Sequence, residues 1–141
     1  MNVIDYFDRG WATGPQTVCM IDIATDETVT YDAVRKKTFR IGNALKQHGY
    51  DMGSRAAILG ANDIATFTTF LSLIRLGVAT IPLNPRNSPQ ENAEILKRFD
   101  CEIMFFSGTF SSVAEMSRDV AENVREYVCI DKVEGYASLD E

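Results

Sequence analysis

Histidine occurs once in 141 residues and cysteine three times, so the ingredients of the commoner metal sites are scarce. Zinc centres draw on Cys and His at short, fixed spacings. Here Cys19, Cys101 and Cys129 lie far apart in apolar runs, and no CxxC pair exists. An odd number of isolated thiols fits no disulfide framework and reads as reduced, buried side chains of a cytoplasmic protein. Positive charge is also short: 14 Lys and Arg stand against 20 Asp and Glu, a formal charge of −6. A nucleic-acid partner needs clustered positive charge to meet the phosphate backbone, so none is expected. Long hydrophobic runs are missing too. The best candidate, Ile64 to Leu83, contains Arg75, Gly77 and Pro82, and reads as a buried helix followed by a strand and not as a transmembrane segment. The first ten residues carry Asp5, Asp8 and Arg9 and lack the basic-then-apolar plan of a secretory signal.

What is present is an ordinary globular composition, 45% hydrophobic and 24% charged, with no low-complexity stretch or linker. A single α/β domain over residues 1–141 is expected, large enough to bury its own core. Beyond residue 30, helix-like and strand-like segments alternate, which is the pattern of βαβ units. The expected fold is an open, mostly parallel sheet with helices on both faces, preceded by a β-hairpin. That hairpin pairs Val18–Ile23 with Glu27–Thr30 around Thr25-Asp26. A first helix runs from the N-cap Thr30 to Gly49, with Val34, Ile41 and Leu45 inward and Arg35, Lys36, Arg40 and Lys46 toward water. A strand at Ala56–Leu59 is apolar on both faces. A second, deeply placed helix starts near Asn62, carries Ile64, Phe67, Phe70, Leu71, Leu73, Ile74 and Leu76, and stops at Gly77. Val78–Ile81 forms the next strand, broken by Pro82. Ser88, Pro89 and Glu91 spell a capping box for a third helix, whose buried side is Ile95, Leu96 and Phe99. A strand at Ile103–Phe106, a second capping box at Ser112 and Glu115, and a last strand at Tyr127–Ile130 complete the series. Ligands in such sheets sit beyond the carboxyl ends of the strands, here Gly60–Asn62, Leu83–Asn87 and Ser107–Ser111.

Few residues present themselves for chemistry. His48 sits at a helix end on a basic stretch and reads as a surface residue, since no triad can be assembled around it. Ser107-Gly108-Thr109-Phe110-Ser111-Ser112 stands between a strand and a helix, the place for anion-binding amides. It has one Gly and no Lys, so a plain turn fits better than a phosphate loop. A receiver-type Mg²⁺ site needs carboxylates at strand ends; the ends at Gly60, Pro82 and Ser107 carry none.

The stretch Thr30–Phe106 nevertheless resembles the N-terminal part of the adenylate-forming superfamily, which includes acyl-CoA synthetases, luciferases and peptide-synthetase adenylation domains. Thr30-Tyr31-Asp32-Ala33-Val34 looks like its first core motif, and Ser54-Arg55-Ala56-Ala57-Ile58 like its "D-R-V-A-I" strand. Leu76 to Pro85 (LGVATIPLNP) is similar to its second core motif, and Ser88-Pro89-Gln90-Glu91 to the "T-P-E-E" helix start that follows. The resemblance implies an acyl-CoA synthetase-like fold, of which this chain is the N-terminal subdomain, part of a larger AMP-binding ligase domain. It also implies ATP-dependent activation of a carboxylic acid to an acyl-adenylate and transfer to a thiol, usually CoA. The family's phosphate loop, nucleotide motifs, Mg²⁺-binding Glu and terminal Lys fall downstream of these motifs. The chain is accordingly expected to hold no catalytic, cofactor-binding or metal residue of its own. ATP, Mg and CoA belong to the full-length enzyme, as does the acid substrate; this segment contributes scaffold and part of the acyl-pocket wall. Its partner is the remainder of the ligase chain, whose removal would bare apolar surface and permit a homo-oligomer. The alternative is a stand-alone, non-catalytic α/β module that binds a protein or small nucleotide.

Overall fold

The computed structural model describes residues 1–140. Its centre is a five-stranded sheet in the order β4-β3-β5-β6-β7, made of β3 (Arg55–Leu59), β4 (Ala79–Pro82), β5 (Ile103–Phe106), β6 (Glu126–Cys129) and β7 (Ala137–Ser138). Every pairing in it is parallel, with Ala56 opposite Ile103 and Ile103 opposite Glu126. Parallel strands run deep because helices cover both faces. The alternation of side chains sorts the core into two layers. Ala57, Leu59, Met104, Phe106 and Cys129 face α4 (Pro89–Arg98) and α5 (Ser111–Val120). Ala56, Ile58, Ile103, Phe105 and Ile130 face α2 (Tyr31–Gln47) and α3 (Ile64–Leu76). The connection from β3 to β4 leaves in one direction over one face, and that from β5 to β6 in the opposite direction over the other. The two crossovers therefore share one hand, as parallel units require.

The local signals explain the boundaries. The Thr30 hydroxyl accepts the Ala33 amide at the start of α2, and Asp63 caps α3 through the Thr66 amide. Ser88 and Glu91 form the complete capping box expected of α4, with Pro89 in its first turn. Gly77 ends α3 with φ 83°, a left-handed conformation that glycine adopts without a Cβ clash. Pro82 is the last residue of β4 and does not break it. The Ala79 and Leu83 amides donate to β3 and its flank, so Pro82 occupies an outward-facing register position on an edge strand, where no N–H is needed.

Several expectations require correction. α1 (Ile4–Thr13), a helix absent from the expected series, precedes the hairpin strands β1 (Val18–Ile21) and β2 (Thr28–Thr30). Tyr127–Ile130 is not the last strand, because β7 pairs beyond β6. The second capping box is absent. The Phe110 amide donates to the Ser107 carbonyl, closing a 3₁₀ turn over Gly108–Phe110, so the chain is already helical before Ser112 and Phe110 takes the cap position without a side-chain bond. Phe99 lies just past the end of α4 and is 52% exposed, while Asn92 and Ala93 occupy the buried side with Leu96. Arg35 does not face water either. Its Nε donates to Asp8 at 3.2 Å and its guanidinium lies 4.1 Å from the centre of the Trp11 ring.

That last contact belongs to the clamp that fastens α1 to α2 and α3. Arg75 donates to both oxygens of Asp8, at 2.9 and 2.7 Å, and its Nε donates to the Thr38 hydroxyl at 2.8 Å. Its side chain is only 12% exposed and stacks on Phe39. A planar, forked cation suits this site because it binds a carboxylate with two bonds and an aromatic face at once. The Arg75 hydrogen bonds hold the Asp8 carboxyl below its ordinary value, Arg35 helps, and partial burial opposes them.

Two outcomes follow for stability. Gly77→Ala forces a Cβ into the left-handed region and toward Met52, and is expected to cost about 1–2 kcal/mol in urea unfolding. Asp8 has a depressed folded-state pKa, so its stabilisation is present above its ordinary value near 3.8 and is lost as pH falls through the folded value. Asp8→Asn should cost about 2 kcal/mol at pH 6. The gap to wild type should narrow as unfolding is measured at successively lower pH down to pH 3; a constant gap would assign the effect to packing.

Candidate functional site

A cleft of about 860 Å³ opens at the carboxyl edge of the sheet. Three elements wall it: the end of the hairpin at Met20–Ala24, the turn from β3 into α3 at Gly60–Ile64, and the end of β4 with the segment after it at Pro82, Leu83 and Pro85. Thr66, Phe67 and Phe70 close it from the first turns of α3. Two of the three expected loops thus meet here, joined by a hairpin that sequence reasoning did not bring to the site. The deep placement expected for α3 holds only in part. Thr68, Thr69, Leu71, Ser72 and Leu73 are buried, but Phe67 is 51% exposed and stacks on Phe70 with ring centres 6.2 Å apart.

Each wall has a local cause. Gly60 is small because Thr66 crowds it: a Cβ there would overlap the Thr66 Cγ2 and Oγ1 atoms. The segment after β4 is pinned from below by Asn92, which is fully buried. Its amide nitrogen donates to the Asn84 carbonyl at 3.0 Å, and its oxygen accepts from the Asn87 side chain at 3.3 Å. A buried amide of this kind is tolerated because its hydrogen bonds are met, and it fixes the loop in return.

The third expected loop, Ser107–Ser111, lies outside the cleft. The reason is topological: α3 and α5 depart over opposite faces, and the ends of β3 and β5 between them are stitched together. The Ala61 amide donates to the Ser107 hydroxyl at 3.0 Å, and the Gly108 amide donates to Asp131 at 2.7 Å. The Gly108 N–H, which an anion would need, is thus already engaged by a carboxylate. Asp131 is held below its ordinary value by the Cys129 thiol and the Gly108 amide, so it is ionised at neutral pH and presents negative charge at this turn.

His48 and the cysteines lie elsewhere in the fold. His48 Nδ1 lies 3.1 Å from Glu126, whose other oxygen accepts from the Tyr50 hydroxyl at 2.9 Å. This trio ties the end of α2 to β6 and stands apart from the cleft, as expected of a surface histidine. Cys101 and Cys129 are buried and Cys19 half-buried. Burial pushes the Cys101 thiol up to about 11. Burial, with the hydrogen bond to Asp131, pushes Cys129 up to about 11 as well. Both are held as thiols and are poor nucleophiles. No helix among the described residues is long and apolar enough to cross a membrane.

The family profile described as AMP-binding enzyme matches residues 7–140. Among characterised sequences, the long-chain-fatty-acid–CoA ligase of Thermus thermophilus is 26% identical over 145 aligned residues, covering 100% of this chain and 27% of that protein. The 4-coumarate–CoA ligase 5 of Oryza sativa is 32% identical over 90 residues, covering 64% of this chain and 17% of that protein. Among solved structures, the anthranilate CoA ligase AuaEII in complex with anthranoyl-AMP superposes with a TM-score of 0.89 at 21% identity, over 99% of this chain and 26% of that one. The luciferase-like enzyme of the mealworm Zophobas morio gives a TM-score of 0.90 at 17% identity, over 99% and 33%. These superpositions show the fold. The chain spans roughly a quarter of the length of the long-chain ligase it matches.

Gly60→Ala is expected to push the first turn of α3 away from the cleft and to destabilise the chain by about 1–3 kcal/mol. Thr66→Ala removes most of the overlapping atoms together with a buried hydroxyl that has no partner. The double variant should therefore recover part of the loss, and strictly additive unfolding free energies would rule out the steric account.

Proposed function

The chain belongs to the AMP-binding enzyme family, and from that premise we propose that it is the N-terminal segment of an ATP-dependent, AMP-forming acid–thiol ligase. The reaction joins a carboxylate to ATP, giving an acyl-adenylate and pyrophosphate, and then passes the acyl group to a thiol such as that of CoA. The observation that carries this reading is the family match along residues 7–140 combined with relatives several times the chain's length that are named as CoA ligases. The relatives act on fatty and aromatic acids by their names, so the substrate proposed for the whole protein is a carboxylic acid of that apolar kind.

Within such an enzyme the segment's role is architectural. It supplies the sheet, the carboxyl-edge turns and the apolar wall made by Phe67, Phe70 and Leu83. ATP and its Mg²⁺ fit poorly at the strand-to-helix turn of this chain. The Gly108 and Ala61 amides there are already donating, and the Asp131 carboxylate would face the phosphates. Nucleotide and thiol are therefore assigned to residues outside this segment, and no step of the reaction is derived through the residues present. The two thiols that burial holds in the neutral form suit a reducing compartment, and the cytoplasm is the proposed location.

The test is pyrophosphate exchange into ATP. The longer protein encoded with this segment should catalyse carboxylate-dependent exchange, while the purified 141-residue chain should give none. Exchange by the short chain would show that phosphates are clamped within it. A longer protein without exchange, or a reading frame that stops after residue 141, would leave a non-catalytic α/β module as the better description.

A further inference from the structure

Charge is distributed unevenly in this acidic chain. α2 carries five of the 14 Lys and Arg and, in Asp32, one of the 20 Asp and Glu, a net +4; the nine cations and 19 anions elsewhere sum to −10. Three of the five are engaged: Arg35 with Asp8, Lys36 with Asp32 and Lys37 with Asp140. The Lys36 pair joins neighbouring turns at the surface, with Lys36 68% exposed, and contributes little to holding it. Arg40 and Lys46 are exposed and form no ion pair among the described residues. Arg125, next to β6, is a third such cation, and its guanidinium lies 4.6 Å from the centre of the Tyr50 ring, beside the end of α2. Lys36, Arg40, Asn43 and Gln47 follow one another at steps of four, three and four residues, so they form one exposed line about 16 Å long down the helix. Next to this line is an apolar cavity of about 310 Å³, lined by Ala44 and Leu45 of α2 and by Phe105 and Val128 of the sheet. Ala44 is one turn from Arg40 and joins the two features. Glu126, the acidic side chain in the cavity's lining, is already met by His48 at 3.1 Å and by the Tyr50 hydroxyl at 2.9 Å.

We infer that this face of α2 is a docking surface for an acidic amphipathic helix of a partner protein. Asp and Glu of that helix meet the cationic line, and one of its apolar side chains enters the cavity. The surface lies apart from the cleft and stands whether or not the proposed reaction is correct. Charge selects the partner, since a positive strip on a negative protein steers an acidic surface to one place and one orientation. Cations one helical turn apart match carboxylates repeating every three or four residues on a helix laid alongside. An apolar anchor seated in a pocket with a polar rim is the arrangement that concentrates binding energy. An anionic membrane fits less well. The rest of the chain carries −10, and the exposed face of α2 has no large apolar row to insert, Phe39 being stacked against Arg35 and Arg75.

The test is fluorescence anisotropy on the protein as encoded, with two labelled synthetic helical peptides. One carries Glu along one face and Leu along the adjoining face; the other has Lys at every Glu position. The Glu peptide should bind, with an association rate that falls as salt rises, and the Lys peptide should not. Arg40→Gln with Lys46→Gln removes two rim charges and should weaken binding roughly tenfold. Lys97→Gln with Arg98→Gln removes the same charge from the last turn of α4, across the sheet, and should leave binding unchanged. All four positions are exposed, and urea unfolding verifies that both variants keep the fold. A wild-type protein that ignores the Glu peptide overturns the proposal. An equal loss in the α4 variant overturns it too, because net charge and not this face is then responsible. Capture of phosphatidylserine vesicles without the peptide replaces the partner helix by a membrane. Salt-sensitive self-association that the α2 variant abolishes replaces it by a second copy of the chain.

Discussion

Burial of β3 and β5 on both faces is the constraint from which the architecture follows. A parallel strand at the centre of a sheet has no solvent side, so each residue of Ala56–Leu59 and Ile103–Phe106 must find a hydrophobic neighbour above or below. Each large apolar side chain so buried contributes about 1.5–3 kcal/mol. That gain is available only if helices cover both layers, which obliges α2 and α3 to take one face and α4 and α5 the other. Opposite departures of α3 and α5 then leave their turns diverging at the carboxyl edge. Loops therefore gather around free space at this edge, and the cleft is a product of the same packing rule that builds the core.

Charge plays a different part on the α2–α3 face. α1 has a single buried residue, Ile4, and relies on polar fastening to stay in place. Asp8, Arg75, Arg35 and the Trp11 and Phe39 rings interleave so that each guanidinium has both a carboxylate and an aromatic face. Exposed ion pairs contribute little because water screens them and ordering long side chains costs entropy. Arg75 escapes that limit by being nearly enclosed and by donating through several nitrogens at once. The Asp131 junction works similarly on the other side of the sheet, collecting a thiol and an amide at one carboxylate.

The elements with strong local chemistry were legible in the sequence. Ser88-Pro89-Gln90-Glu91 states its own cap, Gly77 its own stop, and the unbroken apolar runs at β3 and β5 declare strands covered twice. What escaped is held by distant partners. Nothing within Ile4–Thr13 announces that Asp8 will meet Arg75, and Ala137-Ser138 becomes a strand only because Cys129 presents a free edge. Ser112 and Glu115 have the right spacing, yet the 3₁₀ turn upstream takes the helix start first. The family resemblance, drawn from the order of short motifs, survives the comparison with known proteins. The cleft was half legible: the strand ends at Gly60 and Leu83 follow from topology, whereas the hairpin's position against α3 is a tertiary fact. The apolar alternation of Ile21 and Ile23, on a hairpin too short to have its own core, was the available signal.

Pro82 gives the sheet a direction. Its ring stands on the outer margin of β4, where a neighbouring strand would look for an amide proton and find none. A strand added beside β4 would forgo one hydrogen bond at Pro82. The opposite border, at the two residues of β7, has no such stop. The two borders of the sheet are thus unequal, and an added strand finds a fuller set of backbone donors beside β7 than beside β4.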